Sequence, residues 1–168
     1  MLHIITGPMF SGKTTYLSNI LNKSSNSIYI NHSYDTRGDF FYSHNSYLQL
    51  ANVKCIKTSL LTDDLIEQYD IICIDEFQFF KNSKETILRW VETMNKVVYL
   101  AGLSCDYKKD VFGDLIDLIR FCDSITKLSS VCSCGKEAIF SKRLIQSSEK
   151  ILIGSSEYEP VCRKCYNL

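Results

Sequence analysis

The chain has 168 residues, 45% of them hydrophobic and 23% charged, which suits one compact domain with a small appendage and an ordinary soluble composition. Lys plus Arg and Asp plus Glu number 19 each, so a net charge of zero weighs against a life on nucleic acid or an anionic membrane, leaving room only for a local basic patch. No apolar run is long enough to span a bilayer, and the amino terminus shows no basic region, apolar core and cleavage site, so the expected location is cytoplasmic.

Residues 2–6 form a short apolar run that predicts a strand, and it leads straight into Gly7-Pro8-Met9-Phe10-Ser11-Gly12-Lys13-Thr14. This is G-x-x-x-x-G-K-T, the phosphate-binding P-loop. Gly7 and Gly12 allow the turns that aim backbone N–H groups at phosphate oxygens, Lys13 brings a charge to the β- and γ-phosphates, and the Thr14 hydroxyl suits Mg²⁺. Residues 13–22 predict a helix whose positive end faces the same phosphates. A strand at 27–30 follows, then a polar stretch at 31–46 without periodicity that holds Asp35-Thr36-Arg37 and His44. A loop of that length in a compact domain points to function or disorder. Residues 53–56 predict a strand and 62–69 a short helix.

Residues 70–74 are a continuous apolar run, the pattern of a central parallel strand covered on both faces. The run ends in Asp75-Glu76. A P-loop enzyme needs a second acid near Mg²⁺ at such a strand end, and Asp75 fills that place. Glu76 beside it projects towards the reacting phosphate, where a carboxylate accepts a proton from an attacking hydroxyl or water. Gln78 follows within the aromatic run Phe77, Phe79 and Phe80, and spacing alone leaves these rings either in the core or walling a base pocket. Asn82 with Glu85 reads as a capping box for a helix to about residue 95, with Ile87, Leu88, Val91 and Met94 on its apolar face. A strand at 96–101, a Gly-containing loop at 102–113 and helical spacing at Leu115, Ile116, Leu118 and Ile119 complete the alternation. Strands alternating with helices imply an α/β fold with a parallel sheet flanked by helices. The pattern changes near residue 124, which divides the chain into a nucleotide-binding part, 1–124, and a carboxyl-terminal part, 125–168.

Eight cysteines would suit a secreted disulfide framework, but Cys55, Cys73, Cys105 and Cys122 are scattered in apolar contexts like small buried hydrophobes. Cys132-Ser133-Cys134 and Cys162-Arg163-Lys164-Cys165 are tight pairs, which in a reducing compartment read as metal ligands. Four thiolates leave no open coordination position, so a structural Zn²⁺ is expected, with the C-x-C pair the less common geometry.

Taken together, these landmarks resemble the type II thymidine kinases of animals, poxviruses and bacteria. The likeness is carried by residues 7–15 (GPMFSGKTT), Asp35-Thr36-Arg37 with His44, residues 75–80 (DEFQFF), residues 102–113, residues 132–144 (CSCGKEAIFSKRL) and residues 153–166 (IGSSEYEPVCRKCY), so it covers essentially the whole chain. It implies a RecA-like P-loop fold with a zinc-binding subdomain and a lasso loop, and transfer of the ATP γ-phosphate to the 5′-hydroxyl of thymidine or deoxyuridine. On this likeness Glu76 is the catalytic base, and Asp75 with Thr14 organises Mg²⁺. Asp35, Arg37 and Gln78 join the P-loop around the nucleotide. Met9, Phe79, Tyr107, Tyr158 and the lasso residues Ile151, Leu152, Ile153 and Gly154 belong with the nucleoside, Tyr107 standing where the family usually has a Phe on the thymine ring. The likeness further implies a homotetramer inhibited by dTTP.

Four departures from the family pattern concern the pocket. Phe77 replaces a Gly, which would crowd the site beside Glu76. Ser104 replaces an Asp, which alters a hydrogen bond. The first cysteine pair and the segment at 154–158 are each one residue short. The competing expectation is a P-loop ATPase whose zinc ribbon binds nucleic acid, against which the zero net charge and the lack of a basic-aromatic cluster both weigh.

Overall fold

A computed structural model describes residues 1–36, 50, 53–146, 152, 154 and 156–167. Arg37, His44, Ile151 and Ile153 lie outside the described residues. The framework is a six-stranded parallel sheet in the order β3-β2-β4-β5-β1-β6. Its strands are β1 (Leu2–Thr6), β2 (Ser27–His32), β3 (Lys54–Thr58), β4 (Ile71–Ile74), β5 (Val97–Gly102) and β6 (Ser124–Lys127).

Both faces of the central strands are buried, which explains the near-continuous apolar runs. Side chains alternate between two cores as the two-residue period requires. Ile4, Ile28, Ile30, Ile72, Ile74 and Leu100 join one cluster with Trp90 and Leu115. Ile5, Tyr29, Cys73 and Ala101 join the other with Leu17 and Leu21 of α1 (Lys13–Leu21). On the first face lies α2 (Lys84–Glu92), which buries Ile87 and Trp90 and packs Leu88 and Val91 against the same core.

The capping box expected at Asn82 and Glu85 is not formed. Asn82 takes a left-handed backbone with φ of 54°, and Ser83 is the cap residue, its main-chain N–H donated to Asp114 Oδ2 at 2.9 Å. A partner distant in sequence thus replaced the local one. The helix expected at 62–69 is a single 3-10 turn, Asp63–Leu65, too short to repay α-helix nucleation. Tertiary bonds hold it: Asp63 accepts from Arg89 at 2.7 and 3.1 Å and from the Trp90 indole N–H at 2.7 Å. The helical spacing after Leu115 is likewise a 3-10 helix, Ile116–Phe121, with Leu118 buried.

Residue 124 begins β6, which pairs with β1 through Ser124–Lys127, so the sheet runs past the change in pattern by one edge strand. Beyond it stand two small antiparallel ladders. One joins β7 (Ser130–Val131) to β8 (Glu137–Ala138), and the other joins β9 (Phe140–Arg143) to β10 (Tyr158–Val161). They are followed by the one-turn α3 (Arg163–Tyr166). No helix among the described residues is long and apolar enough to cross a membrane.

Candidate active site

In a parallel α/β sheet, ligand sites gather where the strands end, because the loops there share one edge. The P-loop leaves β1, Asp35 follows β2, Asp75 and Glu76 follow β4, and Leu103 follows β5, all at the carboxyl edge. Gly12, at φ of 85°, makes the left-handed turn into α1 that a residue with a Cβ would resist. Lys13 is buried and curls over its own loop, donating to the carbonyls of Gly7 at 3.1 Å and Pro8 at 2.8 Å. The ammonium therefore already stands inside the ring of backbone that a triphosphate would occupy.

Asp75 is the centre of a dense network. Its Oδ2 accepts from the Thr14 hydroxyl at 2.7 Å and from the Tyr29 hydroxyl at 3.0 Å, and its Oδ1 accepts from the Glu76 N–H at 2.9 Å. Burial, with the neighbouring charge of Glu76, pushes its carboxyl up to about 6. The same burial and the Asp75 charge push the Tyr29 phenol up. Thr14 and Asp75 in direct contact are a donor set that fits a hard cation held by oxygen.

Glu76 takes a left-handed backbone, φ of 51°. The 3-10 turn Phe77–Phe79 follows, and Gln78 Nε2 donates to Glu76 Oε2 at 2.6 Å. Gln78 is itself buried, with Oε1 accepting from the Leu103 N–H at 2.9 Å. The three aromatic rings part company here. Phe77 and Phe80 are fully buried in the core, whereas Phe79 is half-buried among His32, Tyr34 and Phe112. The ring of Phe77, expected beside Glu76, is taken up by the core. Burial lowers the pKa of the His32 imidazole in this aromatic nest. Asp35 is buried, with its Oδ2 accepting from Asn31 at 2.9 Å and its carbonyl accepting from Lys57.

Tyr107 and Tyr158 are brought together by a residue to which no role was attached from the sequence. The Arg143 guanidinium lies 3.7 Å from the centre of the Tyr107 ring and 5.3 Å from that of Tyr158. Its Nη2 donates to the Tyr158 hydroxyl at 2.6 Å. Arg143 and Tyr158 face each other in the β9–β10 register, so the contact is set by strand pairing. Two residues before Arg143, Ser141 Oγ accepts the main-chain N–H of Met9 at 2.9 Å, tying β9 to the P-loop. In the 102–113 loop, where Ser104 had raised the question of a lost bond, the buried Asp106 carboxylate accepts from the N–H groups of Lys108 and Asp110 at 2.8 and 3.0 Å. Of the lasso, Leu152 and Gly154 are described, both half-buried.

The sulfurs of Cys132, Cys134, Cys162 and Cys165 all lie within 4.8 Å of one another. Cys134 stands 3.5 Å from Cys132 and 3.7 Å from Cys162. Tetrahedral Zn–S bonds of about 2.3 Å put sulfurs about 3.8 Å apart, so the set fits zinc. Backbone N–H groups of Cys134 and Cys162 bring Cys132 down to about 6, towards the thiolate a cation needs. Hydrogen bonding to Cys134 and the other crowded sulfurs pushes Cys165 up to about 12. The short C-x-C pair converges because Gly135 turns the chain back, its N–H donated to the Cys132 carbonyl at 2.8 Å.

Comparison with known proteins agrees with this geometry. The family described as Thymidine kinase matches residues 1–166. A thymidine kinase of Sheeppox virus is 40% identical over 99% of this chain and 97% of its own length. One from Choristoneura fumiferana entomopoxvirus is 37% identical, covering 99% of this chain and 96% of the relative. Thymidine kinase 1 of Dictyostelium discoideum is 36% identical over 99% of this chain and 77% of its own length. The chain belongs to the thymidine kinase family.

Proposed function

We propose that this chain transfers the γ-phosphate of ATP to the 5′-hydroxyl of thymidine, with deoxyuridine as a second acceptor, to give dTMP for pyrimidine deoxynucleotide salvage. The observation that carries the reading is the Asp75-Glu76 pair at the end of β4, bonded to the P-loop through Thr14 at 2.7 Å. In this reading Gly7 to Thr14, with Asp35 and Arg37, hold the triphosphate. Thr14 and Asp75 would hold Mg²⁺, which would supply positive charge to the triphosphate. Glu76 accepts the 5′-hydroxyl proton as that oxygen bonds to the γ-phosphorus and the bond to ADP breaks. Tyr107, Phe79, Tyr158, Met9 and the lasso residues Ile151, Leu152, Ile153 and Gly154 enclose the nucleoside, and a structural Zn²⁺ on the four cysteines anchors the lasso's base. An anchored lid loses less freedom on closing than a free one. Residues 1–124 thus carry the nucleotide site and one wall of the nucleoside pocket, and 125–168 carry the zinc-anchored lid, with β6 lent to the sheet. Family membership further supports a cytoplasmic homotetramer inhibited by dTTP.

Glu76→Gln tests the reading. ATP binding should remain near the wild-type value while phosphoryl transfer falls by about two to four orders of magnitude. Wild-type transfer in that variant would take Glu76 out of the role. Product mass from a panel of thymidine, deoxyuridine and deoxycytidine with ATP and Mg²⁺ reads the acceptor directly.

A further inference from the structure

The Gln78 side chain has a bond at each end, and the chemistry of one end dictates the other. The Leu103 main-chain N–H can only donate, so the amide atom 2.9 Å from it is the oxygen. The nitrogen must then face Glu76 Oε2, at 2.6 Å, and as a pure donor it requires an accepting carboxylate oxygen there. The amide cannot flip without setting donor against donor at Leu103 and acceptor against acceptor at Glu76.

The surroundings are shaped for this one arrangement. Gln78 is only 2% exposed. A Cβ on Gly102 would lie 2.8 Å from Gln78 Oε1, so a side chain there would press on the amide in its present place. Glu76 is held in the left-handed region by the turn that follows it, and this brings side chains 76 and 78 within bonding reach. Gly102 pairs with Thr6, the last residue before the P-loop, so the amide refers Glu76 to the strand beside the phosphate cradle.

We propose that Gln78 is a positioning residue for Glu76, its amide keyed by the Leu103 N–H and holding the carboxylate in the place from which it accepts the nucleoside proton. This rests on Glu76 being the base. The side-chain bonds of Gln78 run to Glu76 and Leu103, so in this proposal its effect on the reaction passes through Glu76.

Gln78→Glu and Gln78→Met separate this role from a structural one. The glutamate keeps an acceptor for Leu103 but sets a second carboxyl in place of the neutral amide donor against Glu76, whereas methionine loses both bonds. Both variants should lose about 10- to 100-fold in kcat, and the KM for ATP should stay within about twofold of the wild type. Both variants should also lower the thermal midpoint, because one buries a second carboxylate beside Glu76 and the other leaves the Leu103 N–H without its acceptor. If Gln78→Glu keeps the wild-type kcat and only Gln78→Met is impaired, the residue merely supports the Leu103 loop and the proposal is overturned. A double-mutant cycle covers poor folding of the glutamate variant: in a Glu76→Gln background, Gln78→Met should cause little further loss of residual kcat. An equal loss in both backgrounds overturns the proposal as well. Full transfer by Glu76→Gln alone would remove the base assignment first, whereas an inactive Glu76→Gln beside a fully active Gln78→Glu would sink only the role of Gln78.

Discussion

Asp75 is a carboxylate that the fold surrounds with donors yet does not neutralise, since its group stands at about 6 through burial and the adjacent Glu76 charge. The sign follows from linkage: between about pH 4 and 6 the folded chain keeps a proton that the unfolded chain has lost. Stability from this group is therefore present at low pH and lost as pH rises through 6, by about 2–3 kcal/mol in the nucleotide-free protein. Asp75→Asn should raise the calorimetric midpoint at pH 7.5 by about 5–10 °C, have a smaller effect at pH 5, and abolish transfer. A lower midpoint at pH 7.5 would contradict this account. At this scale much of the site was legible, because the P-loop and the acid pair are local in sequence and their chemistry is fixed by residue type. Tyr29 and Arg143 were not, since nothing near them in the chain shows that one hydroxyl meets Asp75 and one guanidinium meets two tyrosines.

The β9–β10 ladder places Ser141 and Arg143 two residues apart on one strand, the first against the P-loop and the second against Tyr107 and Tyr158. The ladder is thus a bracket between the two halves of the site. Loss of the Arg143 hydrogen bond and ring contact removes roughly 1–2 kcal/mol of restraint on the tyrosines. Arg143→Met should raise the KM for thymidine about tenfold with little change in the KM for ATP, as steady-state kinetics would read. A rise in the ATP KM alone would point to Ser141 and the P-loop as the ladder's only business. Elements were readable where the apolar pattern was unbroken, as in β4, or periodic, as on the apolar face of α2, and misread where tertiary bonds decide. Ser83 and Asp63 take their partners from residues 26 to 31 positions away, and no window on the sequence contains both.

Across the whole molecule, the four sulfurs join segments 132–134 and 162–165, and β9 and β10 lie between them. Chelation or Cys162→Ser should release one zinc per chain by metal analysis, lower the thermal midpoint and raise the thymidine KM, while nucleotide binding to the P-loop is largely kept. Retained midpoint and kinetics after complete metal loss would separate the cysteines from the lid. Five of the six sheet strands were legible in the sequence, but β6 and the strand order were not, because they depend on pairings that local patterns do not encode. That order has a consequence for how the protein comes into being. β1, made before either of its neighbours, lies between β5 and β6, with Leu2 opposite Val98 and His3 opposite Ser124. At about 5–20 residues per second on the ribosome, β1 waits several seconds for its first neighbour and longer for its second. During that interval the apolar segment Leu2–Thr6 has neither of its strand partners, and the P-loop it carries has no edge to rest on. Leu2–Thr6 is therefore an apolar segment open to misassociation until β5 is made, and the nucleotide site is among the last parts of the sheet to be completed.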